Sequence, residues 1–309
     1  MSIKPTKDFK LVIHGGATNN DIDPQRLTHM KEVLETAGDI LTNGGSATDA
    51  VVKAVQMMED SSLYNAGRGS IATDNGVIEQ DAAIMSGQTG IGASVACLKE
   101  AQNPITAAKL VMEKHGSYKF LAGDDGVKEF LGYSHNNPNG LDIIENRSEH
   151  FVKLQQPQDT TPKTPAEEAG NTKGTVGAVA LDQHGNLAAA TSTGGAPKKQ
   201  LGRVGDTPII GAGTLANKQV AISCTGIGEH FIRANAAADI SAQIEYTDKP
   251  LEKAANHTLD KVEELGGWGG MIAIDKDGNV SMPYRCNAMY RGSIDQTGKV
   301  FAAAENGPN

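Results

Sequence analysis

Aromatic residues are scarce in this sequence: they make up 4% of its 309 residues, with a single tryptophan. A core without large rings has to be assembled from Ala, Val, Ile and Leu, and the 36 glycines supply turns and close backbone approaches. Cysteine is scarce as well. Cys97, Cys224 and Cys286 lie far apart, make no metal-type spacing and cannot all pair, which excludes a disulfide scaffold and fits thiols in a reducing compartment. Basic charge is in deficit, with 28 Lys and Arg against 37 Asp and Glu and a net charge of −9. Without a basic run, no nucleic-acid partner is expected. No segment approaches a membrane span, and the start Met1-Ser2-Ile3-Lys4-Pro5 has no apolar stretch of signal-peptide length. The expectation is a cytoplasmic protein with no membrane partner.

What remains is an ordinary globular composition, 39% hydrophobic and 21% charged, long enough for one large domain or two small ones. Its organising stretch is Lys173 to Asp182. Val176 to Leu181 are small and apolar, which suits a strand buried on both faces. Gln183 to Asn186 reads as a turn and Leu187 to Thr193 as the returning strand. Residues 155–174, rich in Pro, Thr, Glu and Gln through most of their length, read as a flexible linker. A tether running into a core strand that begins with threonine has two readings. Gly174 is an ordinary turn glycine before a strand threonine, or Gly174–Thr175 is a cut site. Cleavage would give Thr175 a free α-amine, of reference pKa about 7.7–8.0, so that one residue carries nucleophile and base.

Elsewhere, Phe9 to Ile13 reads as a strand ending in His14-Gly15-Gly16-Ala17, with His14 either catalytic or fixed by backbone hydrogen bonds. Pro24 to Thr42 reads as a helix stopped by Asn43-Gly44-Gly45. Ser46 to Asp49 resembles a capping box opening a second helix. Ile71 to Ile84 reads as a hairpin turning at Asp74-Asn75-Gly76. Within it Glu79 and Asp81 share a face, as paired carboxylates or as a polar edge. Ile91 to Leu98 reads as a strand, Asn103-Pro104 as the start of a helix through His115, and Gly123 to Leu131 as a short helix. Gly202-Arg203-Val204-Gly205-Asp206 is a charged glycine-rich loop. The glycines of Gly211 to Ala216 superficially match a dinucleotide fingerprint, but a strand, Val220 to Cys224, follows them instead of a helix. Thr225 to Glu229 opens a helix through Gln243, either as an anion site or as a plain helix start. A helix over Pro250 to Leu265 and a hairpin over Gly270 to Arg285 complete an α+β pattern of antiparallel sheets between helices.

With these segments in order, the chain resembles the plant-type L-asparaginase/isoaspartyl aminopeptidase family of N-terminal-nucleophile hydrolases. The resemblance is carried by Ile13 to Ala17, Tyr64-Asn65-Ala66-Gly67, Gly174 to Asp182, Ala188 to Gly195, Gly202 to Asp206 and Cys224 to Arg233. It implies a four-layer αββα sandwich formed by a single domain over residues 1–309. It also implies autocleavage into an α subunit, 1–174, and a β subunit, 175–309, assembled as (αβ)2. Carried over residue by residue, Thr175 matches the nucleophile, Thr193 its hydroxyl partner, and Thr225 with the Gly226 N–H the oxyanion hole. Arg203 and Asp206 match the clamp on the substrate's α-carboxylate and α-amine. Gly228 matches a substrate contact and Asn65 a support of the nucleophile region. A structural sodium ion would sit on the backbone carbonyls of Met58, Glu59, Ser61, Tyr64, Ala66 and Arg68. No catalytic metal or cofactor is implied. The implied substrates are L-asparagine and isoaspartyl dipeptides. Glycosylasparaginase is the nearest alternative on the same fold, disfavoured by Gly rather than an acidic residue before Thr175. From a different class, an uncleaved relative could bind a nucleotide or phosphate through the glycine loops, although no P-loop lysine pattern is present.

Overall fold

In the computed structural model, residues 8–136, 139–143 and 173–305 are described. The expected linker 155–174 lies outside them, apart from Lys173 and Gly174. Strand β1 (Lys10–Thr18) does not stop at the glycines but runs through them, with a bulge between His14 and Gly16. Helix α1 (Pro24–Thr42) starts with Asp23 accepting from the Gln25 N–H, and α2 (Ala47–Asp60) with Ser46 accepting from the Asp49 N–H. Strands β2 (Gln80–Ser86) and β3 (Gly92–Leu98) follow, then α3 (Pro104–Glu113), the short β4 (Phe120–Ala122) and α4 (Asp124–Leu131). The expected hairpin over 71–84 is corrected: Ala72 and Ile78 make one isolated bridge, and β2 pairs instead with β3 and β6. Glu79 accepts from the Gly202 N–H and Asp81 from the Cys97 N–H.

The organising stretch forms β5 (Val176–Leu181) and β6 (Leu187–Thr193), paired antiparallel with Val176 opposite Ser192. Strands β7 (Thr214–Ala216) and β8 (Val220–Gly226) lead to α5 (Gly228–Ala234) and α6 (Ala236–Thr247). The single helix expected there is two, because Asn235 adopts φ +47 and ends the first. Helix α7 (Leu251–Glu264) precedes β9 (Gly269–Asp275), the two-residue strands β10 (Val280–Ser281) and β11 (Tyr284–Arg285), β12 (Ala288–Asp295) and β13 (Val300–Ala303).

The described strands form two sheets. The larger has the order β13-β12-β1-β5-β6-β2-β3-β4, and the smaller β10-β9-β8-β7, with β11 also on β9. Pairing is antiparallel except between β3 and β4. Side chains alternate between faces along a strand, and the core follows that period. Leu11, Ile13, Val176 and Ala178 pack with Met30, Leu34, Val51 and Val55 of α1 and α2. Val12, Val179 and Ala189 face Ala221 and Ile272 of the smaller sheet. On that sheet's other face Ile222, Cys224 and Met271 pack with Phe231, Ile240 and Leu259. The protein is therefore a mixed α+β fold in which β5 is buried on both faces, as its unbroken apolar run predicts.

Candidate active site

One pocket opens where the strand ends meet. Its lining includes Thr175, Thr193, Asn65, Arg203, Asp206 and Thr225, together with Gly226 and Gly228. Thr175 precedes β5 in the register that sets Val176 opposite Ser192, so it faces Thr193 at the end of β6. Its Oγ1 donates to Thr193 Oγ1 across 3.0 Å, and Thr193 Oγ1 also accepts from the Gly195 N–H.

The peptide before Thr175 is held from several sides. The Asn65 N–H donates to the Gly174 carbonyl at 2.9 Å. The side chain of Asn65 donates to the Gly195 carbonyl and accepts from the Ile71 N–H. Arg26 donates to the Lys173 carbonyl, and Lys173 Nζ to the Ser62 carbonyl. Gly16 lies directly against this segment: a Cβ built there would fall 2.4 Å from Gly174 Cα. Behind the pocket His14 is fully buried and reaches the Thr175 carbonyl through Nδ1 at 3.1 Å. Burial pushes its pKa down to about 3 against the upward pull of that hydrogen bond, so the ring is neutral.

Across the pocket, Thr225 at the end of β8 accepts from the Ala17 N–H through Oγ1 at 3.1 Å, which leaves its own hydroxyl proton free to turn toward a ligand. Gly226 has no room for a side chain, since a Cβ would meet the Trp268 carbonyl oxygen at 2.4 Å. Arg203 makes a bidentate pair with Glu229, 2.9 Å for both Nε–Oε1 and Nη2–Oε2. Burial works to raise the Glu229 pKa, but pairing with Arg203 holds it below its ordinary value. Asp206 is buried and its Oδ2 has no partner among the described residues. Burial raises its pKa to about 7, with the nearby Arg203 charge acting the other way. A Cβ at Gly228 would sit 2.7 Å from Asp206 Oδ1 and 3.1 Å from Arg203 Nη2. Glycine there leaves space beside the guanidinium and the carboxyl.

Most of the residues singled out in the sequence for chemistry thus line one pocket with Thr175, while Glu79 and Asp81 do not line it. His14 lies behind the pocket and the carbonyl loop 58–68 lies beside Asn65. Sequence reasoning missed Glu229 as the partner of Arg203. It also missed the side chain of Glu59, which accepts from the Ile105 N–H at 3.0 Å and the Ser192 hydroxyl at 2.6 Å. A carboxylate ending an otherwise apolar helix face was the available signal.

A threonine hydroxyl paired with a second threonine hydroxyl shares one pocket with a basic fork and a buried carboxyl, an arrangement that suits the chemistry of a hydrolase. The asparaginase family pattern matches residues 7–302. The chain is 39% identical over 331 residues to the putative isoaspartyl peptidase/L-asparaginase of Dictyostelium discoideum, covering 93% of this chain and 94% of that one. It is 40% identical over 296 residues to the isoaspartyl peptidase of Escherichia coli K12, 91% of each chain. It is 32% identical over 330 residues to the probable isoaspartyl peptidase/L-asparaginase 2 of Arabidopsis thaliana, 94% of this chain and 97% of that one. This chain belongs to the asparaginase family. Among the described residues no helix is long and apolar enough to cross a membrane.

Proposed function

We propose that the protein is an autoprocessing threonine amidohydrolase that converts L-asparagine to L-aspartate and ammonia and cleaves isoaspartyl dipeptides. The observation that carries this reading is the Thr175 hydroxyl. It pairs with Thr193 at 3.0 Å on a glycine-flanked peptide bond, inside a pocket that also holds Arg203, Asp206 and Thr225. Cleavage of Gly174–Thr175 proceeds by an N→O acyl shift: Thr175 Oγ1 attacks the Gly174 carbonyl, the C–N bond breaks and the amine takes a proton. Water then hydrolyses the ester. The Asn65 N–H on the Gly174 oxygen, at 2.9 Å, polarises that carbonyl. The products are residues 1–174 and 175–309, assembled as (αβ)2 on a four-layer αββα sandwich.

In the mature protein the freed amine of Thr175 accepts the hydroxyl proton, and the alkoxide attacks the side-chain amide carbon of the substrate. The Thr225 hydroxyl and the Gly226 N–H receive the oxyanion. A donor of this kind is worth about 2.7–4 kcal/mol in a dry site. Ammonia, or an amino acid from a dipeptide, leaves with the proton, and water releases L-aspartate from the acyl-enzyme. The Arg203 fork holds the α-carboxylate and Asp206 the α-ammonium, and Gly228 lies beside both side chains. A structural sodium ion on the carbonyls of Met58, Glu59, Ser61, Tyr64, Ala66 and Arg68 belongs to the same reading. The fit is supported by Gly67 and Gly69, where a Cβ would fall 2.2 Å from the Glu59 oxygen and 2.0 Å from the Tyr64 oxygen. The loop is thus lined by backbone oxygens, and the ion takes no part in the chemistry.

The test is intact mass with N-terminal sequencing, followed by ammonia release from L-asparagine. Two chains, one beginning Thr-Val-Gly-Ala, and activity lost together with cleavage in Thr175→Ala are expected. A cleaved, active Thr175→Ala protein would refute the scheme.

A further inference from the structure

A chain of side-chain hydrogen bonds runs through the interior behind the pocket. His14 Nδ1 lies 3.1 Å from the Thr175 carbonyl oxygen and Nε2 lies 2.9 Å from Ser223 Oγ. Ser223 Oγ is 2.7 Å from Thr191 Oγ1. Thr214 Oγ1 is 2.7 Å from Thr191 Oγ1 and 3.0 Å from the Thr207 carbonyl oxygen. All four side chains are completely buried. Gly177 makes the room, since a Cβ there would fall 2.0 Å from Ser223 Oγ and 2.4 Å from His14 Nε2.

The protons in this chain can be counted. Both ends are carbonyl oxygens, which only accept. Between them stand five contacts, and three hydroxyls with one neutral imidazole supply four protons. One contact is therefore always without a proton. With the proton on Nε2, the gap falls at the end of the chain, where the lone pairs of Nδ1 and the Thr175 oxygen would face each other at 3.1 Å. With the proton on Nδ1, three hydroxyl protons are left for the other four contacts, and the hydroxyls rotate to place the gap away from the ring. Ser223 then donates to Nε2.

We propose that Ser223 and His14 are positioning residues for the nucleophile: Ser223 donates to Nε2, fixes the Nδ1–H tautomer, and Nδ1–H anchors the Thr175 carbonyl. The proposal rests on Thr175 being the nucleophile. Thr191 is one link further on and equally buried, yet the count makes it dispensable. In Thr191→Val three contacts remain, Thr175–His14, His14–Ser223 and Thr214–Thr207, with three protons to fill them. In Ser223→Ala the Nε2 lone pair is left buried with no donor.

The test compares the two variants on L-asparagine, with rates normalised to chains that begin at Thr175. Misplacing a reacting group costs up to about a hundredfold. Ser223→Ala is expected to lower kcat about tenfold or more with KM within about twofold, and Thr191→Val to keep kcat within about twofold. In the wild-type protein, imidazole nitrogen-15 shifts are expected to show His14 protonated at Nδ1 and bare at Nε2. A ring protonated at Nε2 overturns the proposal, as does unchanged kcat in Ser223→Ala or equal damage in both variants. A wild-type protein that is cleaved but does not hydrolyse L-asparagine counts against the proposed function instead, and the tautomer still decides the inference.

Discussion

Asp206 carries the most quantitative expectation. Its carboxyl is buried, Oδ2 is without a partner among the described residues, and burial moves its pKa from 3.8 to about 7 despite the Arg203 charge. The folded state holds the proton more tightly than the unfolded chain. The contribution to stability is therefore fully present below pH 3.8 and is lost as pH rises through about 7. At about 1.4 kcal/mol per pH unit, the loss is about 1.6 kcal/mol by pH 5 and on the order of 4 kcal/mol by pH 8. Asp206→Asn keeps the shape and removes the titration. Relative to the parent, the variant should gain about 2–3 kcal/mol between pH 5 and pH 8. Urea unfolding of both at the two pH values measures this, each in the Thr175→Ala background so that the covalent state is the same. The function moves the other way: an arriving α-ammonium needs the ionised carboxyl, so Asp206→Asn should weaken L-aspartate binding most at pH 8. A parent–variant difference that stays constant within about 0.5 kcal/mol from pH 5 to pH 8 would refute the argument.

Three further expectations follow from other contacts. Gly16→Ala places a Cβ 2.4 Å from Gly174 Cα at φ +102; with backbone on both sides, a loss of about 1–3 kcal/mol and slowed processing are expected. Melting temperature and the cleaved fraction over time read both, and full processing at the wild-type rate would contradict the close-packing argument. Arg203→Ala removes the fork now paired with Glu229; with charged hydrogen bonds worth about 1.5–3 kcal/mol each, KM for L-asparagine should rise at least about tenfold. Self-cleavage, which needs no α-carboxylate, should change far less, as a time course on gels would show. Glu59→Ala strands the Ile105 N–H and the Ser192 hydroxyl in the core; a loss of about 2–5 kcal/mol is expected in the urea midpoint. A shift below about 0.5 kcal/mol would mean that these donors find other partners.

Local patterns made the β5–β6 hairpin legible in the sequence: an unbroken small apolar run, a turn of Gln183 to Asn186, and a returning run ending in Thr193. That same register is what sets Thr175 beside Thr193, so the heart of the site follows from one hairpin. Other parts left no local trace. That β1 lies next to β5 is a pairing between distant segments, and the bulge that carries β1 through its glycines depends on β12. The roles proposed for Arg203, Asp206 and Thr225 rest on the resemblance, because Arg203 and Asp206 share one loop while Thr225 stands on β8, and only the closed fold brings them to Thr175.

The hydroxyls that sequence reading passed over share one feature. Thr191 and Ser223 each end a buried apolar run, Leu187 to Ala190 and Val220 to Ile222. A polar group in such a place destabilises the fold unless it is partnered, and a buried hydroxyl there therefore announces a partner on the facing element. Thr191 lies on β6 and Ser223 on β8, and they meet at 2.7 Å, which joins the two sheets at the point where His14 reaches the candidate nucleophile. The contact is costly to leave half-made, so it restricts how the sheets can slide over each other. Placement of Thr175 runs through His14 and Ser223, and Thr191 extends the same chain across the sheets, so its hydroxyl bears on how the sheets stack rather than on the nucleophile.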